Sequence, residues 1–396
     1  MEKINEPVAI PESKLYFTAN YKSLWAGSLI GATPFRFNRK QKKFVFSKFS
    51  YRFFKLNFLL LIIMQGFMYI QTIRFHTAGL SNHFNLSYAF NIGSGIILIT
   101  MLVPALFPHE LLTAMNGFMI YFNRIYNIYM PDYDPETATS SKLLEFLMVS
   151  VISNMMGTSL LLSLVFIIFP QVPVCFGNVI PPEFFTLPVR IVHTLYYVQM
   201  STVIYANFAA VAAMIITYMF LMVPFMVNEF RMKGVKKYRT VGGFRTARNI
   251  MLEYRSIQIL HLTFMNVIGN VLVPFHFVIM KLVLFCNVVV ILYHNEMYPA
   301  VAAMLGIWSI LCTVFWCVTL ALGGYVFSKS LETTRSWKNW KWKSRFDGVI
   351  MTKFRKSCKP FMINYGNMYV IKRRSILKFM KGLTRGTFRV LLAIKK

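Results

Sequence analysis

The sequence predicts an all-α, polytopic membrane protein with about seven transmembrane helices and a cytoplasmic amino terminus. Three observations predict this fold class. Hydrophobic residues make up 56% of the 396 residues and charged residues only 14%, whereas about a quarter of the residues of a soluble domain are charged. Apolar runs of roughly 20 residues, long enough to cross a bilayer, recur along the chain. The net charge of +29 is concentrated between those runs.

Seven apolar runs are the predicted spans. The fourth run is long enough to cross the membrane and continue beyond it, and the seventh is the least apolar. The runs lie at Leu56–Ile73, Tyr88–Phe107, Leu143–Phe169, Ile191–Val227, Val271–Tyr293, Ala300–Phe327 and Ser375–Ile394. Because no internal repeat and no Gly/Ser-rich linker interrupts them, residues 1–396 are predicted to form a single domain.

The distribution of Lys and Arg predicts the orientation. The amino-terminal segment 1–55, the connection after the fourth run and the connection 328–374 are rich in these residues and belong in the cytoplasm. Residues 108–142 are then a cytoplasmic loop, although they are not basic. The connections after the first, third and fifth runs are poor in Lys and Arg and are predicted to lie outside. Asn85 begins an Asn-Leu-Ser pattern in the first outer loop and is a predicted glycosylation site.

Three tryptophans in the last basic connection allow two interpretations. Trp337, Trp340 and Trp342 alternate with lysines. Such a pattern is typical of a belt of aromatic and cationic side chains at the level of the lipid headgroups. It also fits a cytoplasmic helical platform that joins subunits. The sequence leaves both interpretations open.

The sequence contains no recognisable motif for catalysis or for a cofactor or metal, so it predicts a protein that is not an enzyme and holds neither. The sequence contains no phosphate-binding glycine loop, no His-Glu-x-x-His and no nucleophile elbow. Its seven histidines are scattered, and its five cysteines form no metal-ligand pair. The basic residues follow the pattern of membrane topology, so nucleic acid is not an expected partner. Carboxylates are almost missing from the spans, which disfavours a cation-coupled transporter.

Short motifs near both ends of the chain resemble one receptor family. The first 35 residues end in an apolar patch closed by Pro34-Phe35, and the carboxyl end carries Ser357-Cys358-Lys359-Pro360-Phe361, Ile363, Gly366 and Tyr369-Val370-Ile371. These residues resemble the arthropod gustatory and odorant receptor superfamily. Length, seven spans and an inside amino terminus extend the resemblance over the whole chain.

Within that superfamily the chain is more similar to the gustatory branch. That branch often ends its last helix with Thr-Tyr, five residues and Gln-Phe, and here Thr387-Phe388 is followed five residues later by Ile394-Lys395. Half of the motif is therefore retained. The extended second cytoplasmic loop of the obligate odorant co-receptor is missing from the sequence.

The resemblance implies a mechanism, a location and partners. Members of the superfamily are ligand-gated, mainly cation-conducting channels assembled as homo- or hetero-tetramers of related subunits. Their last helix lines a central pore, and a cytoplasmic anchor of helix extensions holds the subunits together. The implied location is the plasma membrane of a sensory neuron, and the implied ligand is a small-molecule tastant or odorant that binds among the outer halves of several helices.

With this topology, nine residues of the outer halves are candidate ligand-binding residues. They combine aromatic rings with a few polar groups at the ends of side chains, and this combination suits a small amphipathic ligand. The alternative is ordinary helix packing with an aromatic belt. The candidates are Tyr88, Asn91, His193, Tyr196, Tyr197, Met200, Tyr205, Met304 and Trp308.

The last run carries a basic stripe. Arg374, Lys378, Lys381, Arg385 and Arg389 follow one another at spacings of three or four residues and share one helical face. The candidate pore residues are Lys378, Lys381, Arg385, Arg389 and Leu392. Basic side chains in a lumen repel cations, so the channel is predicted to be less cation-selective than its relatives. The alternative is a basic amphipathic helix on the inner leaflet. Gly382 and Gly386 would permit close approach of another helix.

Lys281, near the middle of the fifth run, is a further candidate. An ammonium facing lipid is expensive, so this side chain is predicted to meet an aqueous conduit or a subunit contact. The alternative is that it extends to the membrane surface.

Two other classes of membrane protein remain as alternatives. A G-protein-coupled receptor would have an outside amino terminus, which the basic first segment disfavours. The sequence also lacks an Asp-Arg-Tyr-like triplet after the third span and an Asn-Pro-x-x-Tyr in the last. A transporter is the less favoured alternative, because there are no internal repeats.

Overall fold

The protein was analysed as a computed structural model in which residues 25–38, 43–131, 139–232, 238–365 and 369–394 are described. The helices are α1 (Lys48–Thr77), α2 (Ser81–Leu106), α3 (Pro108–Tyr129), α4 (Thr139–Ile168), α5 (Leu187–Asn228), α6 (Ala247–Tyr293), α7 (Pro299–Ser336), α8 (Arg345–Ser357) and α9 (Ser375–Ile394). Two small antiparallel hairpins accompany them, β1 (Phe35–Asn38) with β2 (Lys43–Phe46) and β3 (Asn364–Tyr365) with β4 (Tyr369–Val370). The acidic residues of the 108–142 segment at 132–138, Gly366 and the last two lysines lie outside the described residues.

The all-α, polytopic fold class is confirmed. Within the described residues, α1, α2, the Val271–Tyr293 part of α6, and α7 are each long and apolar enough to cross a membrane. Apolar side chains point outward along these helices, and Leu59, Ile63 and Ile70 of α1 are each more than half exposed. Such an exposed apolar surface suits lipid and not water.

Helix α1 begins before the first apolar run. The Ser47 hydroxyl accepts a hydrogen bond from Ser50 N and caps the helix. The predicted amino-terminal segment 1–55 therefore contains the β1–β2 hairpin and the first two turns of α1. Apolarity alone could not locate this boundary, because Lys48, Arg52 and Lys55 are good helix formers outside the hydrocarbon region.

The predicted cytoplasmic connection 108–142 contains a helix over 108–129, which the sequence analysis did not identify. Pro108 occupies the first turn of α3, where a proline fits, and Glu110 lies in the same turn. The buried residues Leu111, Met115, Phe118 and Phe122 recur every three or four positions. This spacing is the signature of an amphipathic helix, which a search for long apolar runs does not detect.

Three further helices extend the predicted runs or lie between them. Helix α6 starts 24 residues before the fifth run, and α7 continues past Phe327 to Ser336. The predicted connection 328–374 therefore contains the end of α7, and also α8. Ser344 caps α8 by accepting from Asp347 N. Helices thus project well beyond the apolar segments.

The connections between the helices lie at two opposite ends of the molecule. At one end, called here the outer end, the α1–α2 turn contacts the α6–α7 connection through Asn82 Nδ2 and Glu296 O at 3.1 Å. Gly79 forms that turn with a positive φ of 70°. At the opposite, inner end, Val241 N donates to Tyr129 O at 2.8 Å. The connections predicted to be outside and the basic connections thus lie at different ends.

An aromatic core fills the inner end. Trp337, Tyr254, Phe230, Phe244 and Phe361 are all fully buried there. The indole Nε1 of Trp337 donates to Phe230 O at 2.8 Å, and its ring packs edge-on against Tyr254 at 5.0 Å. Trp337 is therefore a core residue of a helical module. The interpretation of this tryptophan as part of a headgroup belt is wrong.

Helix α9 runs alongside α6 and parallel to it. The Phe379 ring lies 5.9 Å from that of His276. A Cβ on Gly382 would lie 3.8 Å from Met280 Cε, and one on Gly386 would lie 3.1 Å from Leu284 Cδ1. The two glycines therefore allow the close approach that their spacing predicts. In this structure α9 packs lengthwise on a spanning helix, unlike a helix lying flat on a leaflet.

Candidate functional site: an aromatic site at the outer end

The nine candidate ligand-binding residues form two groups at the outer end. One group follows α5 and contains His193, Tyr196, Tyr197, Met200 and Tyr205. The other lies where α2 meets α6 and α7 and contains Tyr88, Asn91, Met304 and Trp308. The structure thus brings the residues of each group together, but the two groups lie apart and pack against different residues.

Aromatic rings surround His193. The ring of Tyr197 lies 4.7 Å away, and that of Phe185 lies 5.7 Å away in an edge-on arrangement. Phe176 packs on both Tyr196 and Tyr197, at 5.4 and 6.0 Å. Phe176 and Phe185 belong to the connection between α4 and α5, so this connection folds back over α5 and closes one side of the site.

The Tyr197 hydroxyl holds this connection in place. It accepts a hydrogen bond from Phe176 N at 2.9 Å and donates to Val174 O at 3.3 Å. Tyr197 is only 2% exposed. Tyr197 therefore positions the wall of the site, and its own hydroxyl is already bonded to the backbone.

His193 has the opposite character. It is 6% exposed, and among the described residues neither Nδ1 nor Nε2 has a hydrogen-bond partner. Buried polar atoms are almost always hydrogen-bonded, because leaving them without a partner costs free energy. A neutral imidazole offers one donor and one acceptor. His193 therefore retains an unused donor and an unused acceptor in the described part of the chain.

A depression of about 440 Å³ opens beside this histidine. Its accessible walls are almost entirely apolar, because the His193 nitrogens are buried behind them and the Tyr196 hydroxyl donates to Leu60 O. The lining residues are Phe176, Ile180, Pro188, Val189, Val192, His193 and Tyr196. Val192 is 67% exposed. The depression is thus continuous with the apolar outer surface of α5.

The second group makes aromatic and hydrogen-bond contacts between helices. The Trp308 ring packs edge-on against Phe90 at 4.9 Å, and Tyr88 packs against Phe285 at 4.5 Å. Asn91 bonds to Gln65 of α1, and Gln65 in turn accepts from Ser94. These contacts tie α1, α2, α6 and α7 together, as expected of ordinary helix packing.

The glycosylation prediction for Asn85 was wrong for the folded chain. Asn85 lies in the second turn of α2 with 4% of its surface exposed, and its Nδ2 contacts Met297 Sδ at 3.7 Å. A glycan on that nitrogen has no room. The three-residue pattern carries no information on burial, which is why it misled.

The basic stripe of α9 lies on its exposed side. Phe379, Leu383 and Thr387 are buried against the rest of the chain, whereas all four basic pore candidates are exposed, and Leu392 is 67% exposed on the same side. The arrangement leaves Lys378, Lys381, Arg385, Arg389 and Leu392 exposed on one side of α9.

The sequence did not single out Phe176, Phe185 and Phe166. Phe166 of α4 packs on Tyr197 at 4.9 Å. The abundance of aromatic residues in and beside the 169–186 connection was the available signal. No cluster of three or more His, Cys, Asp or Glu residues that could hold a metal occurs in the described part of the chain.

No protein-family model and no curated protein matches the chain. Solved structures do match. The insect olfactory receptor OR5 from Machilis hrabei in complex with eugenol is 15% identical and superposes with a TM-score of 0.64, covering 96% of this chain and 99% of that one. A second structure of the same receptor is 14% identical and superposes with a TM-score of 0.63, covering 96% of this chain and 97% of that one.

The chain has the fold of an insect olfactory receptor. The match extends over nearly the whole of both chains, so the helical module at the inner end and α9 belong to the shared fold as much as the spanning helices do. At 15% identity the receptor fold is what the two chains share. Their individual ligands and side-chain roles are separate questions.

Proposed function

We propose that this chain is a chemosensory receptor that acts as a ligand-gated ion channel, opened by a small-molecule tastant or odorant. It works as a homo- or hetero-tetramer with related subunits in the plasma membrane of a sensory neuron, with its amino terminus in the cytoplasm. The observation that carries the proposal is the fold shared over 96% of the chain with an olfactory receptor solved with eugenol.

The outer aromatic site supports a ligand of moderate size. A volume of about 440 Å³ lies in the range of small-molecule pockets. An apolar ligand with one hydroxyl or carbonyl group would give His193 the partner that its buried nitrogens lack. We assign agonist binding to the group around His193, Tyr196 and Tyr197, and a supporting role to the Tyr88 and Trp308 group.

The proposed pore lining follows from the position of α9. Its basic side is exposed, and four copies around an axis would line a lumen with rings of Lys378, Lys381, Arg385 and Arg389. Such rings favour anions over cations. We therefore propose a pore that is less cation-selective than a carboxylate-lined channel. The gustatory branch is the proposed assignment, on the half-retained motif at Thr387-Phe388.

A current recording tests the proposal. The chain is expressed alone and with a related subunit, and a panel of small tastants and odorants is applied to excised outside-out patches, so that the ligands reach the outer site. Currents in excised patches without added nucleotide would support a channel. Surface-expressed protein that gives no ligand-evoked current in either arrangement, together with an amino-terminal tag accessible in intact cells, would overturn it.

Site variants then test the pocket. Tyr197→Ala and Trp308→Ala should shift the agonist dose–response curve without loss of surface expression, and the shift should be larger for Tyr197. His294→Ala is the matched control, because His294 lies exposed at the same end of the molecule. Dose–response curves unchanged in both variants would refute the assigned site.

A further inference from the structure

A second cavity lies at the outer end, away from His193. It has a volume of about 620 Å³ and is bounded by the outer ends of α1 and α2 on one side and by α6 and α9 on the other. His76 and Gly79 lie at its mouth, and Val390 and Ile394 of α9 form part of its wall. We name this cavity the Lys281 groove after the charged residue that lines it.

Aromatic rings form a continuous wall along the groove. The His76 ring lies 5.1 Å from Phe84, and Phe84 stacks on Tyr88 at 5.6 Å with the ring planes 15° apart. Tyr88 packs edge-on against Phe285 at 4.5 Å. The wall therefore runs from the mouth toward the interior, and an extended apolar chain can lie along it.

Lys281 lies in the inner part of this wall, and its side chain is exposed. Its Nζ lies 5.5 Å from the centre of the Tyr88 ring, a cation–π contact. Tyr88 is seven residues from the start of α2, so the contact lies roughly 10 Å below the outer end of that helix. No Asp or Glu among the described residues forms an ion pair with Lys281. It is the one formally charged side chain among the described residues that line the groove.

We propose that the Lys281 groove binds a small monocarboxylate with an apolar chain, such as a medium-chain fatty acid. The carboxylate pairs with Lys281, and the chain lies along the aromatic wall toward the mouth. A charged group in the membrane interior needs a partner of opposite charge. One cation at the inner end of a mainly apolar groove selects a ligand with one anionic end.

The depth of Lys281 favours a fatty acid over a phospholipid. Phospholipid phosphates stay in the headgroup region, whereas the ammonium lies about two helical turns inside. The proposed site is distinct from the His193 site, where the polar group is neutral and no cation lies among the lining residues.

Occupancy of the groove would bear on α9. Val390 and Ile394 contact the bound chain from the helix assigned to the pore, so the carboxylate would act as a modulator of opening. This consequence rests on the proposed function, whereas binding itself does not. The test is therefore a binding measurement that needs no channel activity.

The experiment uses the full chain in nanodiscs of zwitterionic phosphatidylcholine. Binding of radiolabelled decanoic acid and of decanol is measured for the wild type, Lys281→Met, Lys281→Arg and the matched control Lys378→Met. Decanoate should bind the wild type and Lys281→Arg saturably and lose about tenfold or more in affinity in Lys281→Met. Decanol should bind the wild type and Lys281→Met equally, which also shows that the variant is folded. Lys378→Met should bind decanoate as the wild type does.

Other outcomes overturn the proposal. Decanoate binding that is equal in the wild type and Lys281→Met, or no saturable binding to the wild type, would remove the carboxylate from Lys281. Competition by anionic phosphatidylglycerol at lipid concentrations would assign the groove to a membrane lipid. A change of oligomeric state in Lys281→Met without decanoate binding to the wild type would assign it to a second copy of the chain.

Discussion

Two buried histidines, one at each end of the molecule, differ in what surrounds them. His261 at the inner end is 3% exposed, and both of its ring nitrogens are bonded, one to Tyr218 Oη at 2.5 Å and the other to Met362 O at 3.0 Å. His193 at the outer end is 6% exposed and also lies beside tyrosines, yet neither of its nitrogens has a partner among the described residues.

The difference separates a polar group that is used in packing from one that is unpaired and that we propose binds the ligand. At the inner end, the polar atoms join α5, α6 and the β3 region into one packed module, and burial lowers the pKa of His261 to about 4. At the outer end, a polar group is left unsatisfied beside an open depression. The free energy lost by leaving it unpaired is available to a ligand that pairs it.

The largest expected effect is loss of the inner core. Trp337→Ala removes a fully buried indole and the hydrogen bond to Phe230 O, so it should lower the free energy of unfolding by about 3–5 kcal/mol. Thermal unfolding of purified protein in detergent measures this change. Phe346→Ala is the control, because Phe346 on α8 is 71% exposed. Equal melting of both variants would contradict a structural inner module.

A pH titration tests His261. Because its folded-state pKa is below the unfolded value of about 6.5, its contribution to stability is present above pH 6.5 and is lost as pH falls toward 4. Between pH 7 and pH 5 the loss should be about 2 kcal/mol. Denaturation curves of the wild type and His261→Gln measure it, with exposed His294→Gln as control. The same pH dependence in all three proteins would rule out this role.

His193→Phe tests the outer end directly. The ring is retained and both unpaired nitrogens are removed, so stability should stay the same or rise by about 1 kcal/mol. Agonist potency should fall about tenfold, equivalent to about 1.4 kcal/mol, for ligands with a hydroxyl or carbonyl group. The matched variant His261→Phe should lower stability instead. If His193→Phe lowers stability as much as His261→Phe does, His193 also stabilises the fold, and the proposed difference between the two histidines is wrong.

The smallest expected effect concerns α9, which connects the two ends. Charge reversal at Arg385 and Arg389 to Glu should move the reversal potential in asymmetric salt toward cation preference. The expected shift is on the order of 20 mV, or about 0.5 kcal/mol for a unit charge. Lys353→Glu on α8, outside the apolar segments, is the control. An unchanged reversal potential would place the basic stripe outside the conduction path.

The spanning helices could be predicted because length and apolarity are local properties. Helices α3 and α8 were missed for a related reason. Their apolar residues recur at helical spacing, but their polar faces keep the average apolarity low, so periodicity and not hydropathy was the signal to follow. Periodicity did succeed for α9, where Arg385 and Arg389 lie on the exposed side and Leu383 on the buried side.

The candidate site was predicted only in part. The placement of His193 and Tyr197 on one helix follows from their spacing. Phe176 and Phe185 could not be assigned to the same site, because a connection of 18 residues can fold in many ways. Asn85 was misplaced for the same reason, since a residue just after a turn is exposed or buried according to what packs over it.

The sequence by itself determined that the chain crosses a membrane, which connections share a side, and that the last helix carries a basic face. Each follows from composition and periodicity along a single segment. Only the tertiary structure decided that the ring nitrogens of His261 are hydrogen-bonded and that those of His193 have no partner among the described residues. It also decided that Lys281 lines a groove beside Tyr88 and that Trp337 is core. Those outcomes depend on partners from distant segments, and only packing determines which atoms a buried polar group can reach.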